Sequence, residues 1–181
     1  HTGGASTGVA FLCSYFCDTT PVHLNDIYCR KDNSVQQFWT LPHLPGRRYL
    51  GKPLYILTSS RTPSAGEELA YNLQTLGRAT IVGETTVGAA NPVEVYQLNP
   101  HFDVRIPTCR AINPITRTNW EGTGVTPDIA VSQAEALHIA HREALKHVCT
   151  QLGQTPSDVT KALWEEATTT LKVLEEAANV A

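Results

Sequence analysis

The sequence predicts an α/β protein: a partly parallel sheet under helical cover, with further helices towards the C-terminal end. Three observations carry this. PLYILTSS at 53–60 and RATIVGE at 78–84 are short β-rich runs without polar alternation, as in strands buried on both faces. Between them, Leu69, Leu73 and Leu76 form one apolar stripe, so the stretch reads strand–helix–strand, a βαβ unit. From Leu137 onward the apolar period is helical.

The elements follow in order. TGGASTGVAFLCSYFC is a Gly-rich turn feeding a mostly buried helix, with Val9, Ala10, Phe11, Leu12, Cys13, Phe16 and Cys17 apolar. VHLNDIYCRKDNSVQQFWTLP alternates and breaks at Lys31–Ser34, which reads as a hairpin. The helix at about 64–77 opens with S-x-x-E, Ser64 to Glu67, and stops at Gly77. VEVYQL and DVRIPT alternate as neighbouring strands, and DIAV at 128–131 is a last short one. In the tail, Leu137, Ala140, Ala144 and Val148 share a face. After GQTPSD, a turn and N-cap, Val159, Leu163, Ala167, Leu171, Leu174 and Ala178 share another. The Gly153–Ser157 break is expected to let the last helix stand apart, giving a core over 1–150 and a helical extension over 151–181.

The chain has 181 residues, enough for one domain with a core. A net charge of -3 gives no electrostatic footprint for a nucleic-acid partner. No run approaches the ~18 apolar residues of a membrane helix. The sequence opens HTGGAST and contains no methionine, so a piece of a longer protein is expected. Five cysteines leave at least one without an intrachain disulfide partner. Cys13 and Cys17 are four apart on the first helix, but no second Cys or His pair matches them. They read as small buried apolar residues, and no metal or other cofactor is expected.

Ser64 is the residue on which chemistry could turn. A serine at a helix start caps the helix; the same N–H groups also favour negative charge beside a nucleophile. Pro63 disfavours helix at Thr62 and presets a strand-to-helix junction, the usual functional edge of an open α/β sheet. There the Ala65 N–H is a plausible oxyanion donor. HTGG and VGETTVGAANP, 82–92, are Gly-punctuated turns able to converge on that edge. In NPITRTNWEGTGVTPDI, 113–129, Trp120 beside Glu121 either orients a carboxylate or simply anchors a surface loop.

Together these segments resemble a known family. TSSRTPSAGEELAYNLQTLGRATIVGETTVGAANP is similar to the nucleophile helix and following strand and loop of the tail-specific (C-terminal-processing) and tricorn-like serine peptidases. HTGG resembles the end of their D-L-R-x-N-x-G-G motif, and NWEGTGVTPDIAV their WEG-x-GV-x-PD segment. The resemblance covers residues 1 to about 148. LCSYF, FWTLP and LYILTSS give it the texture of the interphotoreceptor retinoid-binding protein branch. It implies a ClpP/crotonase-like core of ββα units, a peptide or protein substrate and a secreted or extracytoplasmic setting. It also implies roles: Ser64 as nucleophile, the N–H of Ala65 and of Gly3 or Gly4 as oxyanion donors, and Glu121 as a carboxylate supporting catalytic residues.

The sequence departs from the pattern in two places. The Ser/Lys branch places its lysine 25 residues after the serine, where this chain has Ala89. The tricorn-like branch takes a histidine from before the D-L-R motif. His1, His23, His43, His101, His138, His141 and His147 match no catalytic position, and the last three read as solvated on a surface helix. A serine hydroxyl without a base is a weak nucleophile. The alternative function is therefore non-catalytic binding of an apolar ligand, a retinoid or fatty acid, in a cleft lined by Phe38, Trp39, Tyr55 and Trp120; an inactive fragment is the third reading. Cys109 stands where glycine is frequent in the family, but a reactive thiol there needs an exposed, positive setting that the sequence does not show.

Overall fold

The computed structural model describes residues 3–154 and 157–178. His1 and Thr2 of the HTGG turn, Thr155 and Pro156 of the GQTPSD turn, and the side chains of Val159 and Ala178 lie outside the described residues. The elements in chain order are α1 (Ser6–Ser14), β1 (His23–Cys29), β2 (Ser34–Trp39), β3 (Tyr55–Thr58), α2 (Ala65–Thr75), β4 (Thr80–Gly83), β5 (Val93–Asn99), β6 (Phe102–Pro107), β7 (Cys109–Ile112), β8 (Ile129–Ala130), α3 (Ala136–Gln154) and α4 (Asp158–Ala178).

The βαβ unit forms where the sequence places it. β3 and β4 run parallel, from Tyr55↔Thr80 to Thr58↔Gly83, with α2 as the crossover. Gly77 ends that helix region at a φ of 63°, and the N–H groups of Arg78 and Ala79 return to the Leu73 carbonyl. β8 adds in parallel to the other side of β4. The Asp128 carboxylate fixes this junction by accepting the Ile81 N–H at 2.7 Å.

The alternating segments form antiparallel sheets. β1 and β2 make the expected hairpin, and β7 pairs with the other side of β1, giving the order β2-β1-β7. Among the described residues β5 and β6 pair only with each other.

Apolar burial knits these pieces together. Val9, Ala10 and Cys13 of α1 pack with Leu24, Phe38, Ala65 and Leu73. Ala70, Ile81, Ala111, Trp120 and Val125 form a second cluster on the far side of α2, and Val82 with Ala136 and Ala140 a third beneath α3. Leu73 and Ile81 are fully buried, each contributing about 1.5–3 kcal/mol through area removed from water.

Several expectations need correction. α1 is not mostly buried: Phe11 is 38% and Leu12 49% exposed, because only one side of this apolar helix faces α2 and the hairpin. On α3 the inward residues are Ala136 and Ala140, whereas Leu137 is 68% exposed and Val148 also faces out. Packing on β3 and β4 sets the inward side, which keeps Ala140 of the expected stripe but turns Leu137 and Val148 outward. The last helix does not stand apart but packs along α3, with Ala167 buried and Leu163 left exposed. With β3 and β4 on one side and α4 on another, α3 keeps few fully solvated residues: His141 is exposed, but His138 and His147 are half-buried. The Nε2 of His147 is out of solvent without a partner among the described residues.

Cys29 lies directly opposite Cys109 in the β1–β7 pairing, and the two form a disulfide. The Cys109 thiol reading therefore falls: 80 residues of separation hid a pairing that the sheet register creates. Cys13 is buried as expected, and burial, with smaller contributions from Cys17 and Glu68, pushes its thiol up. Cys17 is only half-buried.

Candidate active site

Ser64 stands at the junction between β3 and α2 with φ 55° and ψ -128°. A non-glycine residue there is strained by about 1–3 kcal/mol and persists only where its surroundings over-determine it. The surroundings are visible. The Glu67 carboxylate accepts the Ser64 N–H at 2.7 Å, and the Ser64 carbonyl accepts the N–H groups of Glu67 (2.8 Å) and Glu68 (3.0 Å). Upstream, Ser59 and Thr62 close the turn, and Glu84 accepts the Ser60 N–H at 2.9 Å and that of Gln133 at 3.1 Å. The Ser60 N–H is the main reason the Glu84 carboxyl sits below its usual range.

This geometry divides the S-x-x-E box. The glutamate half forms, but the Ser64 hydroxyl makes no capping hydrogen bond, because the Glu67 N–H goes to the backbone carbonyl instead.

Glu67 does more than a capping residue. It is completely buried, and besides Ser64 it accepts the Thr86 hydroxyl (2.5 Å) and the N–H groups of Gly88 (2.6 Å) and Ala89 (2.9 Å). Four donors satisfy a carboxylate that has no cation paired with it among the described residues. Glu121 continues the same device, accepting the Ala90 and Asn91 N–H groups, each at 2.8 Å. Four consecutive N–H groups of the 88–91 loop thus point at two carboxylates. Trp120 is 2% exposed and packs on Tyr71, so it anchors a segment whose residues 115–118 and 121–123 stay exposed, as the reading of a surface loop with an anchoring Trp expects.

Gly3 lies against the serine. A Cβ on Gly3, whose φ is 88°, would come within 2.9 Å of the Ser64 Cβ, so only glycine fits without a shift. The N–H groups of Gly3, Gly4 and Ala65 make no hydrogen bond among the described residues. Gly4, Ser64 and Ala65 line a cleft of about 590 Å³ with Glu68, Ala89, Arg105 and Trp120. A second, apolar cavity of about 340 Å³ opens on the other side of Gly3 and Gly4, against Phe11, Leu12, Ala65 and Leu69.

The structure thus brings together Ser64, Ala65, Gly3 and Gly4. Glu121 is not part of the cleft lining; it holds the loop that carries Ala89 to Asn91 into the cleft wall. The four aromatics do not form a common cleft: Phe38 and Trp39 border a groove beside α1, Tyr55 packs under α3, and Trp120 lines the Ser64 cleft. Among the described residues no group of three or more His, Cys, Asp or Glu side chains could hold a metal ion, and no helix is long and apolar enough to cross a membrane.

Sequence reasoning missed Glu68 and Arg105 as lining residues and Glu67 as the clamp. The only sequence signal for Glu68 is its position four residues after Ser64, one helical turn along the same face.

The comparisons with known proteins agree with this geometry. Residues 2–131 match the model of peptidase family S41. A carboxy-terminal-processing protease of Bartonella bacilliformis is 34% identical over 82 residues, covering 45% of this chain and 19% of that protein. In fold, the chain is similar to the photosystem II D1 C-terminal processing protease, with a TM-score of 0.54 at 22% identity, covering 72% of this chain and 32% of the other. It is also similar to mature CPAF, with a TM-score of 0.62 at 15% identity, covering 86% and 43%. The chain spans about a fifth of the curated relative's length and less than half of either solved chain. The match over most of its length, together with the helix start at Ser64 and the glycine turn against it, places the chain in peptidase family S41.

Proposed function

We propose that the protein carrying this chain hydrolyses peptide bonds as a serine peptidase, with Ser64 as nucleophile. The Ser64 hydroxyl oxygen attacks the scissile carbonyl carbon, and its proton passes to a base. The carbonyl oxygen becomes an oxyanion held by the Ala65 N–H and that of Gly3 or Gly4, about 3 kcal/mol per donor. Collapse expels the amine, which takes the proton back from the base, and water then hydrolyses the acyl-serine. The cleft lining contains no histidine or lysine; in this reading the base is the histidine of the tricorn-like pattern, outside the described residues. Glu121 supports the site by holding the 90–91 backbone.

The observation that carries this reading is the state of Ser64: a strained backbone, a hydroxyl not spent on the helix cap, and a glycine turn pressed against it. Structural needs alone would put glycine there. The test is fluorophosphonate labelling of the full protein beside Ser64→Ala. Labelling that disappears in the folded variant is expected; a folded wild-type protein that is never labelled at Ser64 rejects the reading.

The apolar cavity at Phe11, Leu12 and Leu69 favours one alternative, binding of a retinoid or fatty acid without catalysis. Saturable quenching of tryptophan fluorescence by retinol in an unlabelled protein would support it.

A further inference from the structure

We propose that Glu68 is a positioning residue: its carboxylate ties the start of α1 to the start of α2 and so fixes the Gly3–Gly4 turn against Ser64. The proposal rests on reading Ser64 as the nucleophile.

α1 begins at Ser6, two residues after Gly4; α2 begins immediately after Ser64. The two halves of the site therefore ride on two helices. Most of the contact between them is apolar, Val9, Ala10 and Cys13 against Ala65 and Leu73. Apolar contact is non-directional and does not fix a position along the helix. Among the described residues, one hydrogen bond joins these helices: the Ser6 hydroxyl donates to Glu68 Oε2 at 2.7 Å. The other oxygen of Glu68 accepts the Asn25 side-chain N–H at 3.3 Å, which anchors the junction to β1.

The carboxyl is costly at this place. Glu68 is 4% exposed, and burial pushes its pKa up while the bonds from Ser6 and Asn25 pull it back. No cation pairs with it among the described residues. An apolar side chain would fill the volume without that penalty. What it could not do is accept from α1 and β1 at once. Asn25 Oδ1 is buried and unpartnered, so Glu68 is the only described hydrogen-bond partner of that side chain.

Gly3 leaves little slack, since even an added Cβ would lie 2.9 Å from the Ser64 Cβ. A shift of about 1 Å at such a site can cost about a hundred-fold in rate.

The experiment measures the fluorophosphonate labelling rate of Ser64 in the full protein and separates reagent binding from the covalent step. Glu68→Ala is expected to slow the covalent step about a hundred-fold and Ser6→Ala about ten-fold, with reagent binding changed by less than the covalent step. The double variant is no slower than Glu68→Ala, because both remove one junction. Glu68→Gln stays within a few-fold of wild type. Its carboxamide oxygen accepts from Ser6, and its NH₂ donates to Asn25 Oδ1 once the Asn25 amide turns over. Wild-type rates in Ser6→Ala, multiplicative losses in the double variant, or a Glu68→Gln variant as slow as Glu68→Ala would each overturn the proposal. Ser6 is a partly exposed helix-start residue, so Ser6→Ala still decides the matter if Glu68→Ala fails to fold. A wild-type protein never labelled at Ser64 removes the nucleophile reading itself. Labelling that is indifferent to both residues removes only the junction.

Discussion

The two walls of the cleft beside Ser64 are held in different ways. On one side the 84–91 loop is fixed by carboxylates: Glu67 and Glu121 take four successive N–H groups, and Thr86 bridges Glu67 to the Val125 N–H at 2.7 Å. On the other side Val93 and Arg105 belong to the β5–β6 hairpin, which pairs with no further strand among the described residues and whose β5 residues are all exposed. Its outer face carries Tyr96, Leu98, Phe102 and Ile106 in solvent. A two-stranded hairpin alone is marginal in water. One wall is thus built for fixed geometry, whereas the other draws little stability from the remainder of the chain. Stability follows Ser64 here, not the outer rim of the cleft.

Removing the clamp is the strongest way to break that contrast. Glu67→Ala leaves the Ser64, Gly88 and Ala89 N–H groups and the Thr86 hydroxyl without their acceptor. Urea unfolding should show a loss of about 3–4 kcal/mol. A loss under 1 kcal/mol would mean that the two walls are equally soft.

Strain at Ser64 gives the next effect, of opposite sign. Ser64→Gly should stabilise by about 1 kcal/mol, since glycine accepts a φ of 55° and the serine hydroxyl has no capping bond to lose. It should also end labelling. An unchanged or lower urea midpoint would show that the backbone there is not strained.

Glu68 gives a pH-dependent effect. Burial raises its carboxyl above the ordinary glutamate value of 4.5, so the native state holds its proton more tightly than the unfolded chain does. Its contribution to stability is complete below that value and is lost as pH rises through the raised pKa. Glu68→Gln should therefore flatten the stability profile on the alkaline side of 4.5 relative to wild type. Parallel profiles for the two proteins would count against the burial effect.

The smallest effect belongs to the hairpin. Phe102→Ser, on a residue 66% exposed, should change stability by no more than about 0.5 kcal/mol. Amides of β5 and β6 should also exchange hydrogen faster than those of β3 and β4. Slow exchange in the hairpin would reveal a cover over its apolar face.

Much of the fold was legible because local patterns decide it. Tyr55–Thr58 and Thr80–Gly83 flank a helix with one apolar stripe, and such a unit closes into parallel pairing with few alternatives. The hairpins at 23–39 and 93–107 follow from alternation and a polar break. The α3 face was misread because Leu137 and Ala140 do not reveal which side a sheet will cover; small alanines suit close packing on β4, and the larger leucine is left outside. Ser64, Ala65, Gly3 and Gly4, which the structure brings together, were singled out through a motif, but the motif carries no distances.

What the sequence determined by itself is the set of elements, the family and the serine at the start of α2. Those depend on periodicity and on residues adjacent in the chain. Tertiary structure alone decided which donors each acceptor received. Glu67 takes the Ser64 N–H and is also drawn inward, because the 86–89 segment arrives from about 20 residues downstream with three further donors. Cys29 found Cys109, and Glu68 found Ser6, in the same way. A carboxylate or thiol near several candidate partners binds those that packing brings within about 3 Å, and that proximity exists only once the sheets and helices have assembled.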